Sequence, residues 1–263
     1  MEIDGRVIAQ RLYAELAPQF AALGRTVTLG ILVVGDDPVI ESFVRIKAKN
    51  AAKLGVGIER VDLDAASKLE DICAAVRSLA LRADGIIVQL PLPEGISVDA
   101  VLAEIPPEKD VDAINPRTIL ETERVRSPVA LAVVEILRSG EVQIADATTV
   151  VVGAGRLVGT PSASLLTELG ARVTVLTRGD SLDVLQSADI IIAGAGNPGF
   201  IKPEHIKEGV ALIDAGTSEQ GGKVVGDADP ACAAKSTLFT PVPGGVGPVA
   251  VAIIFRNLLT LAR

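Results

Sequence analysis

Thr148-Thr149-Val150-Val151-Val152-Gly153-Ala154-Gly155-Arg156-Leu157-Val158-Gly159 is an apolar, β-branched run that passes straight into a glycine-rich turn and then into a helical pattern over 157–169. Stiff, branched side chains favour a strand covered on both faces. Glycines in the turn let backbone approach a pyrophosphate, and the helix that follows aims free amides and its positive dipole end at the same point. The final glycine stands one place later than in the usual GxGxxG spacing. Gly153, Ala154, Gly155, Arg156, Leu157 and Gly159 are therefore candidate contacts for a dinucleotide, and a tight strand-to-helix turn without ligand is the plainer alternative.

Working outward, strand patterns recur over 172–176, 190–193 and 210–214, with short connections. The half before the motif shows the same alternation: helix over 5–23, strand over 26–34, helix over 39–54, strand over 58–63, helix over 68–81 and strand over 85–88. Alternation of this kind predicts parallel sheets covered by helices, an α/β fold. The composition agrees, because 49% of the 263 residues are hydrophobic and only 2% aromatic, so the core is built from Ala, Val, Ile and Leu. A proline-rich stretch from Pro91 to Pro116 interrupts the pattern, and an apolar helix over 128–138 links the halves.

The formal net charge of −8, from 25 basic and 33 acidic residues, provides no general attraction for nucleic acid or an anionic membrane. Cys73 and Cys232 match no metal-ligand or redox spacing, which predicts buried, inert thiols in a reducing compartment. His205, the one histidine, cannot build a histidine-based metal site, and no metal is expected. The start Met1-Glu2-Ile3-Asp4-Gly5 lacks the basic and apolar regions of a signal peptide, and no apolar run reaches membrane-span length, so a cytoplasmic location is expected.

The end of the strand after the glycine-rich turn bears on the choice of dinucleotide. A carboxylate there would bind ribose hydroxyls and repel a 2′-phosphate. Thr177 and Arg178 offer a hydroxyl and a cation, favouring NADP, while Asp180 two residues on leaves NAD possible.

Three further side chains stand out. Lys47 shares a helix face with Phe43, Gln89 lies at the carboxyl edge of a strand where ligands collect in open α/β sheets, and Asp112 closes Lys109-Asp110-Val111-Asp112. Near the end, Thr240-Pro241-Val242-Pro243-Gly244-Gly245-Val246-Gly247-Pro248 is too rich in proline and glycine for a helix or strand interior. Such a loop brings backbone close to a flat ligand or to other backbone, and spacing alone leaves all of these open.

Asp84-Gly85-Ile86-Ile87-Val88-Gln89-Leu90-Pro91-Leu92-Pro93, Pro107-Glu108-Lys109-Asp110-Val111-Asp112, the Gly194 to Phe200 segment with Ile206-Lys207, and the closing Pro-Val-Pro-Gly-Gly-Val-Gly-Pro occur in that order. Nearly the whole chain thereby resembles the bifunctional methylenetetrahydrofolate dehydrogenase/methenyltetrahydrofolate cyclohydrolase family. The resemblance implies two α/β domains flanking a cleft: a folate-binding catalytic domain over 1–125, completed by the helix over 245–263, and a Rossmann-like NAD(P)-binding domain over 126–244. It implies a homodimer acting on one-carbon derivatives of tetrahydrofolate. Phe43-Val44-Arg45-Ile46-Lys47 matches the family's Tyr-Val-x-x-Lys, so Lys47 inherits the catalytic role, with Gln89 tuning it and Asp112 gripping the pterin. Phe43, Leu90, Pro91, Pro243, Gly244, Gly245, Gly247 and Pro248 are the implied substrate contacts, and Gly194, Gly216 and Thr217 join the cofactor set.

Four departures accompany the match: Phe43 for tyrosine, Gly153-Ala154-Gly155 for Gly-Arg-Ser, Arg126-Ser127-Pro128 for Cys-Thr-Pro, and Val249-Ala250 for Met-Thr. They keep open a member with one activity weakened and a folate- or nucleotide-binding protein without turnover. A ligase driven by nucleotide triphosphate is excluded, since no Gly-rich Lys-Ser/Thr phosphate loop is present.

Overall fold

The computed structural model describes residues 1–115, 117–118 and 124–263; Pro116, the end of the proline-rich stretch, lies outside them. The chain forms two compact units, one of Arg11–Pro128 with Val251–Arg263 and one of Met1–Gln10 with Val129–Ala250.

The first of these units is built on a parallel three-stranded sheet in the order β2-β1-β3, with β1 at Thr28–Val34, β2 at Gly57–Leu63 and β3 at Gly85–Val88. Central β1 serves two cores by strict alternation. Leu29, Ile31 and Val33 pack with α2 (Pro38–Leu54), with Leu16 and Phe20 of α1 (Gly5–Ala21), and with Ile254, Phe255 and Leu258 of α7 (Val246–Leu261). Leu32 and Val34 pack with Ile72, Val76 and Leu79 of α3 (Leu69–Arg82) and with Val101 and Leu102 of α4 (Val98–Leu102). A side chain at Gly30 would crowd Ala83 and Leu79, so glycine there lets α3 lie close to the sheet.

The second unit holds the parallel sheet β10-β7-β6-β4-β5, with β4 at Thr148–Val152, β5 at Arg172–Leu176, β6 at Ile190–Ala193, β7 at Val210–Asp214 and β10 at Ser236–Phe239. Its helices are α5 (Pro128–Ser139), which buries Ala132, Val133, Ile136 and Leu137, and α6 (Gly159–Glu168). The sequence suggests a first domain over 1–125, whereas Met1–Gln10 pack with this second unit. The cause is backbone pairing on β10: the Ile3 amide donates to the Phe239 carbonyl (2.8 Å) and the Phe239 amide to the Met1 carbonyl (2.9 Å).

Two other details differ from the sequence expectation. Helix α6 starts at Gly159 rather than at residue 157, so Arg156 and Leu157 stand in the exposed turn ahead of it. Strands β8 (Ser218–Gln220) and β9 (Lys223–Val225) form an antiparallel hairpin closed by Gly221 and Gly222, both at positive φ, the two-residue turn that matches strand twist. Cys73 and Cys232 are buried free thiols, as expected. Among the described residues no helix is long and apolar enough to cross a membrane.

Candidate functional sites

Helix α2 positions the lysine. Asp37 caps it, accepting the amides of Val39 (2.7 Å) and Ile40 (3.3 Å), Pro38 opens it, and Gly55 at φ 69° ends it. The buried stripe of this helix is Ile40, Val44, Lys47, Ala51 and Leu54, so Lys47 occupies a core position by helical register. Only 7% of it is exposed. Arg45 and Lys49 on the same helix are exposed, as expected of the solvated face.

Gln89 follows β3 directly, and its amide donates to the Leu32 carbonyl (2.9 Å), extending the sheet register by one residue. Its side-chain NH2 donates to the Leu90 carbonyl (3.1 Å), which turns Oε1 toward Lys47; Lys47 Nζ donates to that oxygen at 2.8 Å. Burial pushes the Lys47 pKa down, and the charge of Asp112 opposes that shift. Burial in turn pushes Asp112 up to about 6, with Lys47 lowering it and Asp110 raising it. Lys47, Gln89 and Asp112 therefore form one electrostatic unit. The turn carrying Asp112 is held by Asp110, whose Oδ2 accepts from the amides of Ile114 (2.9 Å) and Asn115 (2.8 Å) and from the Thr118 hydroxyl (2.7 Å). Phe43 stands half-buried one turn before Lys47, Leu90 packs against the α3-side core, and Pro91 is exposed after a cis Leu90–Pro91 bond.

The closing loop belongs to the other unit. Gly244 is at φ 115°, a side chain on Gly245 would lie 2.6 Å from Thr240 Cβ, and a side chain on Gly5 would lie 1.8 Å from the Gly245 carbonyl oxygen. Two of its glycines are thus demanded by the loop's own folding onto the start of α1. A side chain on Gly247 would meet nothing within 4 Å, so that position is open to a ligand. Pro243 follows a cis peptide bond and is exposed, Gly244 is half-buried, and Pro248 lies in the first turn of α7.

The glycine-rich turn lies at the carboxyl end of the five-stranded sheet. Strand β4 has β5 on one side and β6 on the other, which makes the β4/β6 boundary the topological switch point where ligands bind in such sheets. Gly153 is at φ 99°, and its Cβ would lie 2.6 Å from the Gly194 carbonyl oxygen; a Cβ on Gly194 would lie 2.3 Å from Val158. A Cβ on Gly159 would come within 1.8 Å of the Gly153 carbonyl oxygen. These three glycines let the loops after β4 and β6 and the start of α6 interlock. At Gly155 the nearest atom to an added Cβ is 3.9 Å away, so the protein itself leaves space there. Helix α6 has no side-chain cap, and Ala154, Gly155, Arg156 and Leu157 are exposed. An uncapped helix start behind an open glycine suits an anionic pyrophosphate.

At the tip of β5, Asp180 folds back: its Oδ2 accepts from the Thr177 amide (2.7 Å) and hydroxyl (2.9 Å), which holds the carboxyl below its ordinary range. The Thr177 hydroxyl proton is engaged, and Arg178 is the exposed cation of this tip. Gly216 is buried against the Asp227 carboxylate, which leaves no room for a Cβ, while Thr217 beside it is exposed. Asp227 and Asp214, both fully buried, stand out only in the structure; nothing in local sequence spacing marks either one.

Comparison with known proteins matches each half of the chain to a domain of one family. Residues 3–112 match the tetrahydrofolate dehydrogenase/cyclohydrolase catalytic domain, and residues 127–263 match the NAD(P)-binding domain of the same enzymes. The bifunctional protein FolD of Chloroflexus aurantiacus is 38% identical, the alignment covering 99% of this chain and 96% of that protein. The FolD structure from Trypanosoma brucei, complexed with NADP cofactor and inhibitor, is 35% identical with a TM-score of 0.95, covering 100% of this chain and 97% of that one. The Campylobacter jejuni FolD structure is 31% identical with a TM-score of 0.94, covering 100% and 98%. On sequence, fold and the two halves alike, the chain belongs to the tetrahydrofolate dehydrogenase/cyclohydrolase family.

Proposed function

We propose that this protein oxidises 5,10-methylenetetrahydrofolate to the 5,10-methenyl form with NADP and hydrolyses the methenyl form to 10-formyltetrahydrofolate. The observation that carries the proposal is the Lys47 amine, buried on the apolar stripe of α2 and held by Gln89 Oε1 at 2.8 Å. A binding protein without turnover gains nothing from burying an amine whose charged form is penalised there.

NADP supplies the hydride acceptor for the first step. Gly155 would admit its pyrophosphate at the start of α6, in the turn that Gly153 and Gly159 hold closed, and Arg178 would face its 2′-phosphate. Oxidation needs no acid or base from the protein, because hydride leaves the one-carbon bridge and the ring nitrogens delocalise the resulting cation. Orientation of two flat rings is the protein's contribution. Replacing Arg178 by Ala is expected to raise KM for NADP about tenfold while leaving that for NAD within about twofold, the loss of one charge-assisted phosphate contact. Equal effects on both coenzymes, or none, would remove Arg178 from the site.

The second step is where Lys47 acts. Water adds to the cationic methenyl carbon as the neutral Lys47 amine accepts one of its protons. The tetrahedral adduct collapses to the formyl group as the C–N5 bond breaks, N5 takes the proton from Lys47, and the adduct's hydroxyl proton leaves to solvent. Hydrolysis thus releases one proton, and Lys47 returns to its neutral form. A free lysine titrates near 10.4, so a base effective near neutrality must be lowered by its surroundings. Burial supplies this, and the cationic substrate adds to it. Phe43, half-buried one turn before Lys47, carries no hydroxyl that could serve the amine as a partner.

Neutral Lys47 increases with pH, so the hydrolysis rate is expected to rise through a limb lying below 10.4. Because the Asp112 charge holds the Lys47 pKa up, Asp112→Asn should move that limb to lower pH, whatever it costs in KM. A limb that stays in place would disconnect Asp112 from the lysine.

Formation of reduced nucleotide from 5,10-methylenetetrahydrofolate and NADP tests the first step, and its absence would contradict the proposal. The partner in solution is a second copy of the chain, through β5, an edge strand whose Val175 is 39% exposed.

A further inference from the structure

The loop after β6, one wall of the proposed dinucleotide crevice, is fastened by a carboxylate from a distant segment. Asp227 Oδ2 accepts from the amides of Ala195 (2.6 Å) and Gly196 (3.1 Å), and Oδ1 accepts from the amide of Asn197 (2.8 Å). Its side chain is wholly buried and lies against Gly216, where any Cβ would come within 2.3 Å of it. Asp227 is itself fixed by a second buried carboxylate. Asp214, at the end of β7, accepts from the amides of Asp227 (3.2 Å) and Gly216 (2.9 Å) through Oδ1 and from that of Ala228 (2.8 Å) through Oδ2. The loops after β6 and β7 and the segment after the β8–β9 hairpin are thus joined by six amide-to-carboxylate bonds at the carboxyl end of the sheet. A helix or strand would satisfy such amides internally, so a buried charge that gathers three of them serves position rather than secondary structure.

We propose that Asp227 is a positioning residue for NADP: its carboxylate holds residues 195–197 against the glycine-rich turn so that the crevice at the β4/β6 switch point is set before the nucleotide arrives. The interlock of Gly153 with Gly194 supports this, since the loop Asp227 holds begins at the residue that touches the turn. Burial pushes the Asp227 pKa up while the three amides pull it down, and the amides favour the ionised form, whose two oxygens only accept. The proposal rests on NADP being the hydride acceptor.

Asp227→Asn tests it, because the amide nitrogen of asparagine presents donors to backbone N–H groups. KM for NADP is expected to rise about tenfold or more, while hydrolysis of added methenyltetrahydrofolate, which needs no nucleotide, stays within about twofold of wild type. An unchanged KM for NADP would overturn the proposal, as would parallel loss of both activities with a lowered melting temperature. If the variant does not fold, amide exchange on the wild-type protein decides. Residues 195–197 should exchange roughly a hundredfold more slowly than the exposed Gly221–Gly222 turn and slow further with NADP; fast exchange, or no response to NADP, would overturn the proposal. A wild-type protein that reduces no nucleotide would instead refute the functional reading and leave the exchange result to judge the clasp.

Discussion

Lys47→Met is expected to lower hydrolysis of 5,10-methenyltetrahydrofolate by about 10²- to 10⁴-fold, the usual worth of a general base, while NADP reduction stays within about threefold of wild type. The two outcomes separate because only the second step moves a proton at the reacting centre. Methionine keeps the length and much of the volume of the lysine stem, with its sulfur at the δ and its methyl at the ε position, and removes the amine from the stripe that Lys47 shares with Val44 and Ala51 on α2. The substitution also removes a buried group whose charged form is penalised by desolvation, so the melting temperature should hold or rise. Gln89 Oε1 loses its donor, a cost of about 1–3 kcal/mol if no water replaces it, which sets the limit on any rise. Steady-state rates for each substrate, measured separately with one preparation, check this. Undiminished hydrolysis would mean that the proton carrier is another group.

Gly159→Ala is expected to have the largest structural effect. An added methyl would sit 1.8 Å from the Gly153 carbonyl oxygen and 2.7 Å from its carbon, both backbone atoms that cannot swing aside. Either α6 moves off β4 or the turn deforms, and overpacking of this kind costs about 1–3 kcal/mol, occasionally more. With a fall of about 2–4 °C per kcal/mol in a chain of this size, the melting temperature should drop by roughly 2–12 °C. The same movement spoils the pyrophosphate cradle, so NADP reduction should fall at least about tenfold even below the melting temperature. Gly155→Ala is the matched control. Its Cβ finds space, so stability should be unchanged, and any rise in KM for NADP then reports the ligand's approach rather than the fold. Calorimetry and NADP titration of the two variants make the comparison, and a Gly159→Ala protein with wild-type stability would refute the close packing described for α6.

Regular elements with a strong apolar period were legible from the sequence. Strand β4 is a continuous β-branched run and β1 an apolar run interrupted only by Gly30, both bounded by turn residues, and their limits differ from expectation by two residues or fewer. The β8–β9 hairpin was not, because Ser218-Glu219-Gln220 carries no apolar alternation and its pairing rests on the Gly221-Gly222 turn alone. The association of Met1–Gln10 with β10 was also hidden, since parallel pairing over 236 residues of chain leaves no local pattern. Lys47 had a signal in its own register: with Ile40, Val44, Ala51 and Leu54 it completes a helical stripe, and a lysine in such a stripe is either an error of folding or a functional group. Spacing in the sequence put it on one helix face with Phe43 and left its role open, and the resemblance supplied the catalytic assignment. Asp227 had no such signal. What makes it notable is the convergence of Ala195, Gly196 and Asn197 amides on one carboxylate about thirty residues away, a product of tertiary structure only.

Following reduced nucleotide and methenyl absorbance separately in one reaction of purified protein, 5,10-methylenetetrahydrofolate and NADP tests most directly whether both steps run on this chain. NADPH should form steadily while the methenyl signal stays near its starting level, because Lys47 hydrolyses the intermediate as it appears. Methenyl product accumulating in step with NADPH would contradict the role given to the buried Lys47–Gln89 pair, and absence of NADPH would contradict the dehydrogenase itself.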